Sequence, residues 1–116
     1  MSDPSSLELD FDFLWEQLHP NIDLVAEYRA IEGRRFKFDY AHISSAVLVE
    51  VQGQIWHTGG HNTGRSLIRD YTKYNLAQSQ GWIVFQLSAE MITEEWLKVI
   101  ADAIAKRERI NQGLLP

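Results

Sequence analysis

The amino-acid sequence predicts an α/β fold: a mixed central sheet of about four strands flanked by helices, in the order α-β-β-β-α-β-α. Three observations predict it. Apolar residues recur at spacings of three and four in three separate stretches, which marks amphipathic helices. Short runs rich in β-branched and aromatic residues lie between them. One helical stretch joins the apolar runs Ala46–Gln52 and Trp82–Leu87. Such a crossover favours a parallel pair, whereas the short turns between the earlier strands favour antiparallel pairing. At 116 residues the chain is expected to form a single domain over 1–116, with tails at 1–6 and 111–116.

Each element has a local reason. Leu7, Phe11, Leu14, Trp15 and Leu18 share one helical face, and His19-Pro20-Asn21 ends that helix. Val25–Ala30 is a short strand, followed by a turn at Glu32-Gly33. Arg35–Ala41 alternates Phe36, Phe38 and Tyr40 with Arg35, Lys37 and Asp39, the period of a strand with Asp39 on its polar face. Ala46–Gln52 is a largely buried strand. Gly53–Gly64 is polar, holds four glycines and reads as a loop. Asn62 or Thr63 caps the next helix, Ser66–Gln80, through Leu67, Ile68, Tyr71, Tyr74 and Ala77, and Gly81 stops it. Trp82–Leu87 is the last strand. Thr93-x-Glu95 opens a final helix through Trp96, Leu97, Ile100 and Ile104 to about Arg109. Trp15, Trp82 and Trp96 are expected in the core.

The net charge of −5 hides an asymmetry. Residues 1–28 carry seven acids and no Lys or Arg, and residues 29–116 carry eleven bases against nine acids, a net +2. The bases cluster as Arg34/Arg35/Lys37, Arg65/Arg69/Lys73 and Lys106/Arg107/Arg109. The first two clusters are the candidate DNA-binding groups, against the alternative of ordinary solvated charge. The absence of cysteine removes disulfides and thiolate zinc sites. No apolar run is long enough for a membrane span, and the first residues lack the pattern of a signal peptide, so a cytoplasmic location is expected. No dinucleotide-binding or Walker A glycine pattern is present, so no nucleotide cofactor is expected. His57 and His61 are four apart but in a glycine-rich loop, which disfavours a zinc helix.

The segment Asp39–Gln52 carries the chemistry. Glu50 interrupts the apolar run Ala46-Val47-Leu48-Val49-Glu50-Val51, where a carboxylate is costly unless paired or bound to a cation. The alternatives are a metal ion and a buried salt bridge to Arg35 or Lys37. Gln52 shares a face with Glu50, and Asp39 lies on the adjoining strand. Asp39, Glu50 and Gln52 together match the oxygen ligands of one Mg²⁺, for which Mn²⁺ is a substitute.

The pattern Asp39-x10-Glu50-x-Gln52 resembles the PD-(D/E)XK nuclease signature, with Gln52 where Lys is usual. The run from Val49 to Leu87, with Glu50, Gly53, Trp56, His61, Asp70, Lys73, Tyr74, Asn75, Gly81 and Trp82, is similar to a small phage- and bacteria-associated endonuclease subgroup near the very-short-patch-repair and resolvase-type nucleases. The resemblance covers roughly residues 22–90. It implies a restriction-endonuclease-like core and a Mg²⁺-dependent DNA endonuclease that hydrolyses phosphodiester bonds in a bacterial or phage-infected cell. Asp39 and Glu50 would hold the metal, and Glu27 would add a second-metal or outer carboxylate. Gln52 would assist, and Lys73 or His61 would orient water or phosphate. Arg34, Arg35, Lys37, Arg65 and Arg69 would contact DNA. Where an Arg often precedes the loop histidine, this chain has Gly60, and only Asp10 loosely matches an acid expected on the first helix. Two alternatives stand beside it: a nuclease-fold DNA-binding module without catalysis, motivated by Gln52, and an interaction protein docking through its acidic first helix. A chain this small spans two strands poorly alone, so a homodimer is expected.

Overall fold

The computed structural model describes residues 5–52 and 64–113. The expected order α-β-β-β-α-β-α is observed. The helices are α1 (Ser6–Leu18), α2 (Gly64–Ser79) and α3 (Glu94–Asn111). The strands are β1 (Val25–Tyr28), β2 (Phe38–His42), β3 (Val47–Val51) and β4 (Ile83–Leu87), with a 3₁₀ turn at Ala89–Met91. The four strands form one mixed sheet in the order β1-β2-β3-β4. The first two pairings are antiparallel, and β3 runs parallel to β4. The expected parallel pair is therefore the one closed by the α2 crossover.

The caps follow from the sequence. Ser5 Oγ accepts the Glu8 N–H, and Thr93 Oγ1 accepts the Trp96 N–H, so each satisfies an otherwise orphaned donor of a first helical turn. Gly81 stops α2 with φ +93°, a left-handed conformation that glycine adopts without a Cβ penalty. There the Trp82 N–H reaches back to the Ala77 carbonyl. Gly33 turns the chain at φ +80°, closed by Arg34 N–H to the Ile31 carbonyl.

Two apolar layers sandwich the sheet. On one face Phe11 and Trp15 of α1 and Leu97, Ile100 and Ile104 of α3 pack on Tyr40, Val47, Val49 and Leu87. On the other, Tyr74 and Ala77 of α2 pack on Ile31, Phe38, Ala41 and Leu48. Each fully buried aliphatic side chain here contributes about 1.5–3 kcal/mol. Trp15 also donates its indole N–H to the Ile22 carbonyl at 2.9 Å, tying the helix to the segment after it.

Several expectations need correction. The strand predicted over Arg35–Ala41 starts only at Phe38, so Arg35 and Lys37 lie in irregular backbone before it. Asp39 is consequently the second residue of β2. Phe38 packs in the α2 layer and Tyr40, two residues on, in the α1/α3 layer. Strict alternation therefore breaks around Asp39. Along α2 only Tyr74 and Ala77 are buried; Ile68 and Tyr71 are 65% and 60% exposed. Trp96 is exposed rather than in the core. Trp82 is partly buried against the α2 layer. The strand β4 is an edge, and only Leu87 in it is fully buried. None of the helices among the described residues is long and apolar enough to cross a membrane.

Candidate functional site

The site forms at one end of the sheet, where β2 begins and β3 ends. The β2–β3 register pairs Tyr40 with Val49, so Asp39 falls opposite Glu50. There the two carboxylates replace ladder carbonyls as acceptors. The Asp39 N–H donates to Glu50 Oε1 at 2.8 Å, and the Val51 N–H donates to Asp39 Oδ2 at 2.8 Å. This reciprocal pair fixes both acids against the opposing backbone. Charge-assisted bonds of this kind are about twice as strong as neutral ones.

Glu50 alternates with Leu48 along β3 and so faces α2. On that helix Lys73 Nζ lies 2.9 Å from Glu50 Oε2, with the two side chains only 13% and 11% exposed. The ammonium also donates to the Lys37 carbonyl at 2.5 Å and sits 4.5 Å from the Phe38 ring centroid. It is therefore held by a carboxylate, a carbonyl and an aromatic face together. Tyr74, one residue on, donates its hydroxyl to Glu50 Oε2 at 3.4 Å and accepts from the Gln52 amide. Gln52 Nε2 also approaches Gln86 Oε1 at 3.5 Å, on the strand whose Gln86 pairs with Glu50.

The Asp39 carboxyl is pushed up from 3.8 to about 6. Burial is the main cause, and the Glu50 charge adds to it. The Val51 N–H acts the other way, Glu8 of α1 raises the carboxyl further, and Lys73 lowers it. The Tyr74 hydroxyl is likewise held well above its ordinary range, first by burial and then by Glu50. Tyr40 is raised for the same first reason, and its hydroxyl donates to the Glu8 carbonyl at 3.1 Å, which brings the first turn of α1 to the edge of the site.

Beside Lys73 opens a cleft of about 430 Å³ lined by Arg34, Arg35, Phe36, Arg69, Asp70 and Lys73. Four of these six side chains are cationic. The segment before β2 and the exposed face of α2 thus combine into one basic wall next to the two acids.

The structure brings Asp39, Glu50, Gln52 and Lys73 together, with Arg34, Arg35 and Arg69 nearby. Lys73, and neither Arg35 nor Lys37, is the salt-bridge partner of Glu50; Lys37 contributes its backbone carbonyl instead. Arg65 lies two turns from Lys73 on α2 and does not line the cleft. Glu27 continues the β1–β2 register opposite Asp39, but it is exposed, with φ +52°. Among the described residues no group of three His, Asp or Glu side chains is placed to share a metal ion, so Glu27 is not gathered with Asp39 and Glu50. His61, with Gly53, Trp56, His57, Asn62 and Thr63, lies outside the described residues. Glu8, rather than Asp10, is the α1 acid felt at Asp39. Sequence reasoning missed Glu8, Phe38 and the Tyr74 bridge. Tyr74 carried a signal, since it adjoins Lys73 on the buried side of an amphipathic helix.

The donor set fits a hard divalent cation. Asp39 and Glu50 supply carboxylate oxygens, and Gln52 retains an amide oxygen while its nitrogen donates. Mg²⁺ is commonly held by one or two carboxylates with water and substrate oxygens completing its shell. No protein-family model, curated protein or solved structure matches the chain.

Proposed function

We propose that the protein is a Mg²⁺-dependent endonuclease of the PD-(D/E)XK type that hydrolyses phosphodiester bonds in DNA. The observation that carries this reading is the meeting of Asp39 and Glu50 with Lys73, which also lines a cleft walled by Arg34, Arg35 and Arg69. Paired carboxylates beside clustered cations suit a reaction in which a cation and a polyanion must share one place.

The roles follow from the contacts. Asp39 and Glu50 would hold the metal, which when bound supplies Lewis acidity toward a phosphoryl oxygen and acidifies a water. Glu50 is positioned by the Asp39 N–H and Tyr74, and Asp39 by the Val51 N–H. Lys73 supplies from α2 the positive charge that Gln52, just past the end of β3, does not supply. Its ammonium has a fixed seat next to Glu50, from which it would orient the attacking water or the scissile phosphate. Gln52, tied to Tyr74, would present its amide oxygen. Arg34, Arg35 and Arg69 would hold the flanking phosphates.

One observation favours a second reading, a DNA-binding module of the same fold without catalysis. Both Glu50 oxygens already accept hydrogen bonds, so the ion pair with Lys73 satisfies the carboxylate without a metal. The deciding experiment incubates pure protein with duplex, single-stranded and four-way DNA in Mg²⁺ or Mn²⁺. Catalysis predicts cleavage that EDTA stops and that Glu50→Ala abolishes. Binding with no cleavage by the wild type selects the second reading.

A further inference from the structure

Among the described residues, the positive charge near the site is gathered on the α2 side. On α2, Lys73, Arg69 and Arg65 recur every four residues, so they rise along one helix face at intervals of about 6 Å. That interval is comparable to the separation of successive phosphates along an extended strand. Lys73 is at Glu50 and Arg69 lines the basic cleft, while Arg65 is exposed one turn further. Arg34 and Arg35 face this stripe across the cleft. Phe36 is also in the cleft wall, with the Arg34 guanidinium 5.7 Å from its ring centroid, and aromatic and guanidinium planes are the surfaces on which unpaired bases stack.

The opposite side is acidic. The Tyr40 hydroxyl bonds the Glu8 carbonyl, so α1 borders the site. Beyond it a smaller cavity of about 240 Å³ includes Asp12, Glu16 and Asp23 in its lining. The described residues 5–23 carry five carboxylates, Glu8, Asp10, Asp12, Glu16 and Asp23, and no Lys or Arg. A continuous duplex laid over Asp39 and Glu50 would present its second phosphate backbone toward this side. A single backbone following α2 would not.

We infer that the site takes single-stranded nucleic acid, with the strand running from Lys73 along Arg69 to Arg65 and its flanking bases against Phe36 and Arg34. The inference rests on the phosphodiesterase reading and narrows its substrate.

The test measures binding by fluorescence anisotropy in EDTA, using one oligonucleotide as a single strand and as a blunt duplex over a range of salt. The single strand is expected to bind about tenfold tighter or more, and Arg69→Gln to lower its salt slope by about 0.7, the value for one lost contact. Glu16→Lys with Asp23→Lys is expected to tighten duplex binding more than single-strand binding. Equal or tighter duplex binding by the wild type, or no binding of either, overturns the inference. Mg²⁺-dependent cleavage of the same two substrates separates the claims. Faster cutting of the duplex sinks the strand preference and leaves the hydrolytic reading standing. Selective single-strand binding with no cleavage does the reverse.

Discussion

Lys73→Met probes the centre of the site. The substitution keeps most of the side-chain volume and removes the ammonium that pairs with Glu50 at 2.9 Å. With both side chains nearly nine-tenths buried, solvent screens the pair weakly, and breaking a buried pair by removing one partner costs about 3–5 kcal/mol. The Asp39 N–H and the Tyr74 hydroxyl still solvate the stranded carboxylate, which moves the expectation to the lower end, about 3 kcal/mol. Adding Glu50→Gln removes the stranded charge and restores part of the loss. The pair is then expected to show a coupling of about 2 kcal/mol. Urea unfolding near neutral pH reads both quantities. With a slope of about 1.5 kcal/mol per molar, Lys73→Met lowers the midpoint by about 2 M, and the double variant recovers more than half of that. A midpoint shift under about 0.3 M with no coupling would mean that water screens the pair, and the description of Lys73 as a fixed charge beside Glu50 would be wrong.

Two further outcomes follow from the same contacts. The folded pKa of Asp39, about 6, lies above its ordinary 3.8, so the native state binds more protons between those values and the group's contribution to stability falls as pH rises through that window. Asp39→Asn keeps an acceptor for the Val51 N–H and is expected to be more stable than wild type near pH 8 by about 1 kcal/mol, allowing for partial exposure, with the gap closing toward pH 4; a gap independent of pH in urea titrations would contradict it. Thr93→Ala removes the oxygen that accepts the Trp96 N–H and is expected to cost about 1 kcal/mol by thermal unfolding, whereas an unchanged midpoint would show that water replaces the cap.

The architecture was legible because its signals are local. The three- and four-residue spacing of Phe11, Trp15, Leu97, Ile100 and Ile104, the caps Thr93 and Gly81, and the apolar run around Leu48 each depend on neighbours in the chain. The place of Glu50 was legible for a related reason, since a carboxylate in an apolar strand needs a partner. Which partner was not legible. Lys73 is 23 residues away, and only the packing of α2 on the sheet selects it over Arg35 and Lys37. The start of β2 was misjudged because Arg35-Phe36-Lys37 alternates as a strand does, yet its backbone runs irregularly along the cleft, where Arg34, Arg35 and Phe36 form one wall. The periodicity of α2 overstated its buried face for a tertiary reason: among the described residues its N-terminal half leaves Ile68 and Tyr71 exposed. Glu8 was missed because nothing in the sequence relates the first turn of α1 to the start of β2. The Tyr40 hydroxyl makes that link across 32 positions.

The central claim is that Asp39 and Glu50 together hold a divalent cation, and Mn²⁺ binding followed by electron paramagnetic resonance tests it without depending on turnover. The wild type is expected to bind one Mn²⁺ near pH 7.5, to lose it as the pH falls below about 6 and Asp39 takes up a proton, and to lose it in both Asp39→Asn and Glu50→Gln. Unchanged Mn²⁺ binding in those variants, or none in the wild type, would contradict the claim and leave the Glu50–Lys73 pair as a structural ion pair.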